Sequence, residues 1–79
     1  MLKNIPTTVV ASLMGKHPQW VRVRIRRGLL DFGIATQSSS GRWSYWISQK
    51  KFQEELGYTE QDIIHAAEKL GVRLHWTTD

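Results

Sequence analysis

Residues 17–28, HPQWVRVRIRRG, limit the possible folds most strongly, because they carry the start, the periodicity and the end of one short helix. Pro18 suits the first turn, where no amide donor is needed, and Gly28 suits the left-handed position just past the end. At about 100° per residue, one face carries Val21, Ile25 and Gly28, with Arg24 at its edge, and the other carries Gln19, Arg22, Val23 and Arg26. The stretch therefore predicts an amphipathic helix that buries an aliphatic pair and exposes guanidinium groups.

The arginines of this helix indicate either an anionic partner or a merely solvated charged face. Four arginines stand within six residues, and they repel one another in isolation. Residues 1–57 hold nine Lys and Arg against three acids, whereas residues 58–79 hold two against four. Double-stranded DNA, with one charge per ~1.7 Å, is the densest common polyanion. We expect a DNA-binding surface on the first segment and not on the second.

The length and composition restrict the class of protein further. The 79 residues make one small domain, which buries only about 60% of its unfolded surface. The absence of cysteine excludes disulfides and thiolate metal sites. No apolar run approaches the ~20 residues of a membrane span, and residues 1–6 lack the apolar core of a signal peptide. We expect a cytoplasmic protein without membrane contact.

A second helix precedes the basic one. Residues 7–15 predict it, with a threonine as N-cap and Gly15 as the stop. Its apolar stripe consists of Val9, Val10, Leu13 and Met14. The link Gly15-Lys16-His17 is so short that the two helices form a helix-turn-helix pattern. Lys16 and His17, in this turn, could contact a phosphate.

A hairpin follows the apolar connector 29–33, which we expect to enter the core. Residues 34–37 and 42–47 predict the strands, and 38–41 the turn. Alternation places Trp43, Tyr45 and Ile47 on the core side and Arg42, Ser44 and Trp46 on the other. Ser39, Ser40 and Arg42 suit phosphate or minor-groove contact; for the serines an ordinary flexible loop is the alternative. Trp20 either packs against this hairpin or stacks on a sugar.

The remaining chain predicts two helices and a strand. Ser48 caps a helix over 49–56, which ends at Gly57. We expect Phe52 and Leu56 of this helix to pack on the body. A capping box at 59–62 opens a helix that runs to Leu70. Its apolar stripe consists of Ile63, Ala66, Ala67 and Leu70. Residues 72–76 alternate like an edge strand that either covers the body or meets a second copy. Trp46 and Trp76 are candidates for an exposed patch that supports self-association.

The stretch Arg26-Arg27-Gly28-Leu29-Leu30 resembles the helix end of MerR-type winged helix-turn-helix domains. Arg22, six residues before the glycine, matches an arginine that those domains place early in the second helix. Together with Gly41-Arg42-Trp43 and Tyr45-Trp46-Ile47, residues 7–57 resemble the excisionase branch, and in particular small phage and mobile-element proteins. Residues 58–79 fall outside the resemblance.

The resemblance implies a winged helix-turn-helix fold. We expect one compact α+β domain in which residues 1–57 form the DNA-binding body and residues 58–79 form an extension. The second helix then enters the major groove and the hairpin acts as a wing on the backbone or the minor groove. By position, the resemblance implies that Arg22 contacts backbone or base, that Gln19 and Arg26 lie on the groove face, and that Arg42 serves the wing. Together with the residues singled out above, the predicted DNA-contacting set is Lys16, His17, Gln19, Trp20, Arg22, Val23, Arg26, Ser39, Ser40 and Arg42. The implied role is an excisionase-type recombination factor, with an integrase as a possible partner, or a small phage transcriptional regulator.

Other chemistries receive little support from the sequence. No phosphate-binding glycine loop or serine elbow is present, so we expect no catalytic residues, cofactor or enzymatic activity. His17, His65 and His75 have no recognised zinc spacing, and a closed site needs four ligands. The main alternative to DNA binding is a protein-interaction module that uses the basic surface or the acidic helix at 59–70.

Overall fold

A computed structural model describes residues 4–74. Its elements, in chain order, are the helices and strands α1 (Thr7–Met14), α2 (Pro18–Arg26), β1 (Gly33–Gln37), β2 (Trp43–Ile47), α3 (Gln49–Leu56) and α4 (Glu60–Leu70). The strands pair antiparallel, with Gly33 opposite Ile47 at the base and Gln37 opposite Trp43 next to the turn. The predicted α+β content, four helices and one hairpin, is confirmed.

The core lies between the helices and the base of the hairpin. Phe52 of α3 is fully buried at its centre, with its ring edge-on to Phe32 at 5.2 Å and stacked on Tyr58 at 5.3 Å between centroids. The apolar residues buried around it include Ile5, Val9, Val10, Val21, Ile25, Ile47 and Ile63. Every element except β1 contributes to this set, so the core joins the helices to the hairpin.

Most of the predicted helix ends are confirmed. Ser48 accepts a hydrogen bond from the Lys51 amide at 3.3 Å, and Gly57 ends α3 in the left-handed conformation. Thr59 and Asp62 form the reciprocal capping box at the start of α4. These motifs depend only on neighbouring residues, which is why the sequence is sufficient to locate them.

The predicted threonine N-cap of α1 is wrong. Thr7 is already helical, the capping position is Pro6, and no side chain caps the helix. The Pro6 carbonyl accepts the amides of Val9 and Val10 at 3.0 and 3.2 Å. Proline cannot donate an amide hydrogen, but its carbonyl can start the helix as well as any other.

Asn4 and Ile5, which precede α1, form hydrogen bonds with strand β2. The Asn4 side chain accepts the Ile47 amide at 2.8 Å, and the Ile5 amide donates to the Ile47 carbonyl at 3.2 Å. Ile5 itself is buried. The edge of β2 is therefore covered at its base, which removes part of the unpaired strand edge that a two-stranded hairpin exposes.

The assignment of Trp43 to the core is wrong. Trp43 does share a face with buried Ile47, as strand alternation predicts, but 38% of its surface is exposed. It belongs to the last strand pair before the turn, where the hairpin extends past the body. Alternation determines which way a side chain points but not whether anything lies beneath it.

Three leucines expected to pack inward are largely exposed. Leu29, in the connector, is 63% exposed, and Leu56 and Leu70, the last residues of α3 and α4, are 40% and 44% exposed. Each adjoins a glycine with positive φ at which a helix ends. In the connector, Phe32 is buried and Leu30 packs half-buried against the core.

The segment after residue 57 packs on the first helix. Ile63, Ala66 and Ala67 of α4 are buried against the core, and the Tyr58 hydroxyl donates to the Leu13 carbonyl at 2.6 Å. Residues 72–74 form no strand, and the rest of the predicted strand, with Trp76, lies outside the described residues. Within residues 4–74 no helix has the length and apolar character that crossing a membrane requires.

Candidate nucleic-acid interface

The start of α2 is capped by a side chain from the turn. His17 is the N-cap, and its Nδ1 accepts the Gln19 amide at 3.1 Å. Pro18 occupies the first turn, as predicted. The acceptor role of Nδ1 requires the neutral imidazole with its proton on Nε2. His17 therefore has a structural role at the start of α2, and its contact to a phosphate stays a prediction.

Replacing His17 with alanine is expected to lower the free energy of unfolding by about 1 kcal/mol, which lowers the Tm by about 4–8 °C. Asparagine supplies an acceptor at the same position, so His17→Asn should retain most of the stability. Thermal melts followed by far-UV circular dichroism compare the three chains. Equal Tm values for His17→Ala and His17→Asn would contradict the capping role.

The two faces of α2 are separated as the helical period predicts. Val21 and Ile25 are buried, at 0% and 3% exposed. Gln19 and Arg26 are exposed, and Arg22 and Val23 are half-buried. The first acid in the sequence is Asp31, so the turn and the helix contain no negative side chain. The outward face of α2 is therefore a cationic surface with one amide near its start.

Two cationic side chains lie against the ring of Trp20 at the start of α2. The Arg24 guanidinium carbon lies 3.8 Å from the centre of its ring system, and the Lys16 Nζ lies 5.1 Å from it. Both distances are within the range of cation–π attraction. Trp20 is half-buried and packs against the core cluster. Arg24, which the sequence did not assign to the site, joins Trp20 here, and the two predicted roles of Trp20, packing on the hairpin or stacking on a sugar, stay predictions.

The hairpin lies directly beside α2. The space at Gly33 is so tight that an added Cβ would lie 3.0 Å from the Ile25 Cδ1 atom. Further along the hairpin, the Arg26 guanidinium carbon lies 5.5 Å from the Trp43 ring centre. Trp43 is thus brought next to a predicted site residue, although the sequence placed it in the core.

The hairpin turn has its own hydrogen bonds. The Ser38 amide donates to the Arg42 carbonyl and the Gly41 amide to the Ser38 carbonyl, both at 2.9 Å. The hydroxyls of Ser38 and Ser40 are 2.8 Å apart and bonded to each other. Ser39, Ser40 and Arg42 are exposed. These predicted site residues lie at the opposite end of the hairpin from Gly33, where β1 packs on α2.

Metal-ligating groups do not converge in the described part of the chain. Within residues 4–74 no group of three or more His, Asp or Glu side chains has a metal-binding arrangement. His17 caps α2, and His65 is exposed on α4.

No protein-family model, curated protein or solved structure matches this chain. Any function proposed for this chain therefore depends on its own residues and contacts.

Proposed function

We propose that this chain is a double-stranded DNA-binding protein of the winged helix-turn-helix type. In this proposal α2 enters the major groove and the hairpin, as the wing, follows the backbone or the adjacent minor groove. The observation that carries the proposal is the cationic outward face of α2 with the hairpin directly beside it, where Arg26 lies 5.5 Å from Trp43. A helix of about 10–12 Å diameter fits the major groove.

The side chains on this surface have complementary roles in the proposal. Gln19 can pair with adenine, and Arg22 and Arg26 can pair with guanine or with phosphates. Val23 offers an apolar contact for a thymine methyl group. Lys16, Ser39 and Arg42 supply contacts to the backbone, which position the protein without reading sequence.

The biological role that we propose is an excisionase-type factor, which binds DNA beside a recombination site and assists an integrase. A small phage regulator acting at a promoter has the same DNA-binding requirements. The two roles differ in where the protein binds. A footprint over an attachment site supports the first, and a footprint over a promoter supports the second.

A gel-shift titration tests DNA binding. DNA from around the protein's own gene is compared with random DNA at several salt concentrations. With 5–7 Lys and Arg contacts, the log–log dependence of affinity on salt should have a slope of about −4.5 to −6. No binding at low salt would overturn the proposal.

A protein-interaction module is the second candidate, and one specific observation favours it. Ile34 and Trp46 are paired across the hairpin on the face turned away from the core, and they are 60% and 43% exposed. Adjacent exposed apolar side chains of this size are typical of protein contacts. If the chain does not bind DNA, this face is the first place to look for a partner such as an integrase or a second copy.

A further inference from the structure

Trp43 occupies an unusual position for a large aromatic side chain. It lies on the face of the hairpin that carries Tyr45 and Ile47, yet 38% of its surface is exposed. The Arg26 guanidinium carbon, 5.5 Å from its ring centre, is its cationic neighbour on α2. The ring therefore lies beside a cation of α2 while more than a third of the residue remains exposed.

Trp46, on the same strand, provides a natural comparison. It is 43% exposed, a value close to that of Trp43, but it lies on the opposite face of the hairpin across from Ile34. Exposure alone therefore does not distinguish the two tryptophans. What distinguishes them is that Trp43 points toward the cationic helix and Trp46 points away from it.

We propose that Trp43 and Arg26 together form a contact site for the sugar–phosphate backbone of the DNA strand that crosses the junction of α2 and the hairpin. This inference rests on the proposed function and deepens it. Arg26 holds a phosphate oxygen at about 2.8 Å from a guanidinium nitrogen. The neighbouring deoxyribose then packs its apolar C–H groups on the exposed part of the Trp43 ring.

Packing on a sugar fits the position of Trp43 better than insertion between base pairs. Side chains that insert as wedges project freely into the minor groove. Trp43 instead has the Arg26 guanidinium beside its ring, and it lies one residue after Arg42, where the chain leaves the turn. A contact to sugar and phosphate carries no sequence information. Trp43 thus contributes affinity for any DNA sequence rather than selectivity for one.

The test measures the dissociation constants of the full chain for its preferred DNA and for random DNA across a salt series. Trp43→Ala should raise both dissociation constants by about 5- to 10-fold, which corresponds to the lower end of the free energy of aromatic stacking on nucleic acid. The slope against salt should not change, because no charge is removed. Trp43→Phe, which keeps a ring, should recover most of the affinity. Arg26→Gln should reduce the magnitude of the slope by about one.

Trp46→Ala is the matched control, and its affinity for both DNAs should stay within about 2-fold of that of the unchanged chain. The double variant Trp43→Ala/Arg26→Gln should lose less affinity than the product of the single losses, because the two side chains act at one contact. Thermal melts establish that each variant is folded.

Several outcomes would overturn the inference. Unchanged affinity of Trp43→Ala, or a loss confined to the preferred sequence, would exclude a sugar contact. Equal losses for Trp43→Ala and Trp46→Ala would show that position beside α2 does not matter. In each case the unchanged chain still binds DNA, and the proposed function stands. Failure of the unchanged chain to bind would overturn the proposed function and this inference with it.

Discussion

Replacing Arg22 and Arg26 together with glutamine is expected to weaken DNA binding by on the order of 100-fold. Both side chains lie on the outward part of α2, where Arg26 is exposed and Arg22 half-buried. A contact of Arg22 to a base edge is worth about 1–3 kcal/mol, and the hydrogen bond of Arg26 to a charged phosphate is worth about 1.5–3 kcal/mol. The two losses combine to this range. Glutamine keeps a polar side chain but removes the charge, so the slope of affinity against salt should fall by about two.

The matched control removes the same two charges elsewhere. Lys69 and Arg73 are exposed in the C-terminal part of the chain, outside the proposed surface. Lys69→Gln/Arg73→Gln should change affinity by much less than 100-fold. If the two double variants lose affinity equally, net charge alone explains binding and the placement of the groove-facing side of α2 is wrong.

Replacing Phe52 with alanine is expected to lower the free energy of unfolding by about 3–5 kcal/mol. Phe52 is fully buried between the rings of Phe32 and Tyr58, so the truncation leaves a cavity bordered by two aromatic side chains. A domain of this length has about 4–12 kcal/mol of stability in total. The Tm should therefore fall by at least about 12 °C, as measured by circular dichroism.

Leu56, one turn further along α3, is the control for this prediction. It is 40% exposed, so Leu56→Ala should cost less than about 1 kcal/mol. The sequence alone treats Phe52 and Leu56 as equivalent, because both lie at the apolar spacing of one helix face. Similar losses for the two variants would contradict the position that the structure gives to Leu56.

Local sequence chemistry was sufficient to predict the helices, their glycine ends and two of the side-chain caps. Longer-range placement was not, as Trp43 illustrates. Alternation gave the correct face of the strand. The exposure of Trp43, however, depends on what packs beside that face, and the side chain near it is that of Arg26 on α2, seventeen residues earlier. A signal for the Trp20 cluster did exist in the sequence. Trp20 and Arg24 are four apart on one surface of α2, and Lys16 stands four residues before Trp20, in the turn that precedes the helix.

The prediction of a body over 1–57 and an extension over 58–79 within one domain stays a prediction. The charge changes sign between these segments, but packing does not stop there, since α4 buries Ile63 and Ala66 against the core. Deleting residues 58–79 would uncover the apolar surface of α1. Point substitutions on the outside of α4 are therefore the better way to test what this helix contributes.

The position of the tryptophans has a consequence for optical work on this protein. In the part of the chain that the structure describes, none of Trp20, Trp43 and Trp46 is fully buried. The emission of the two exposed indoles, Trp43 and Trp46, should already resemble that of solvated indole in the folded chain, and it should shift little on unfolding. Quenching by a bound ligand should instead be large for the indoles that the ligand covers. The fluorescence of Trp43 and Trp46 is thus a weak reporter of folding and a sensitive reporter of complex formation.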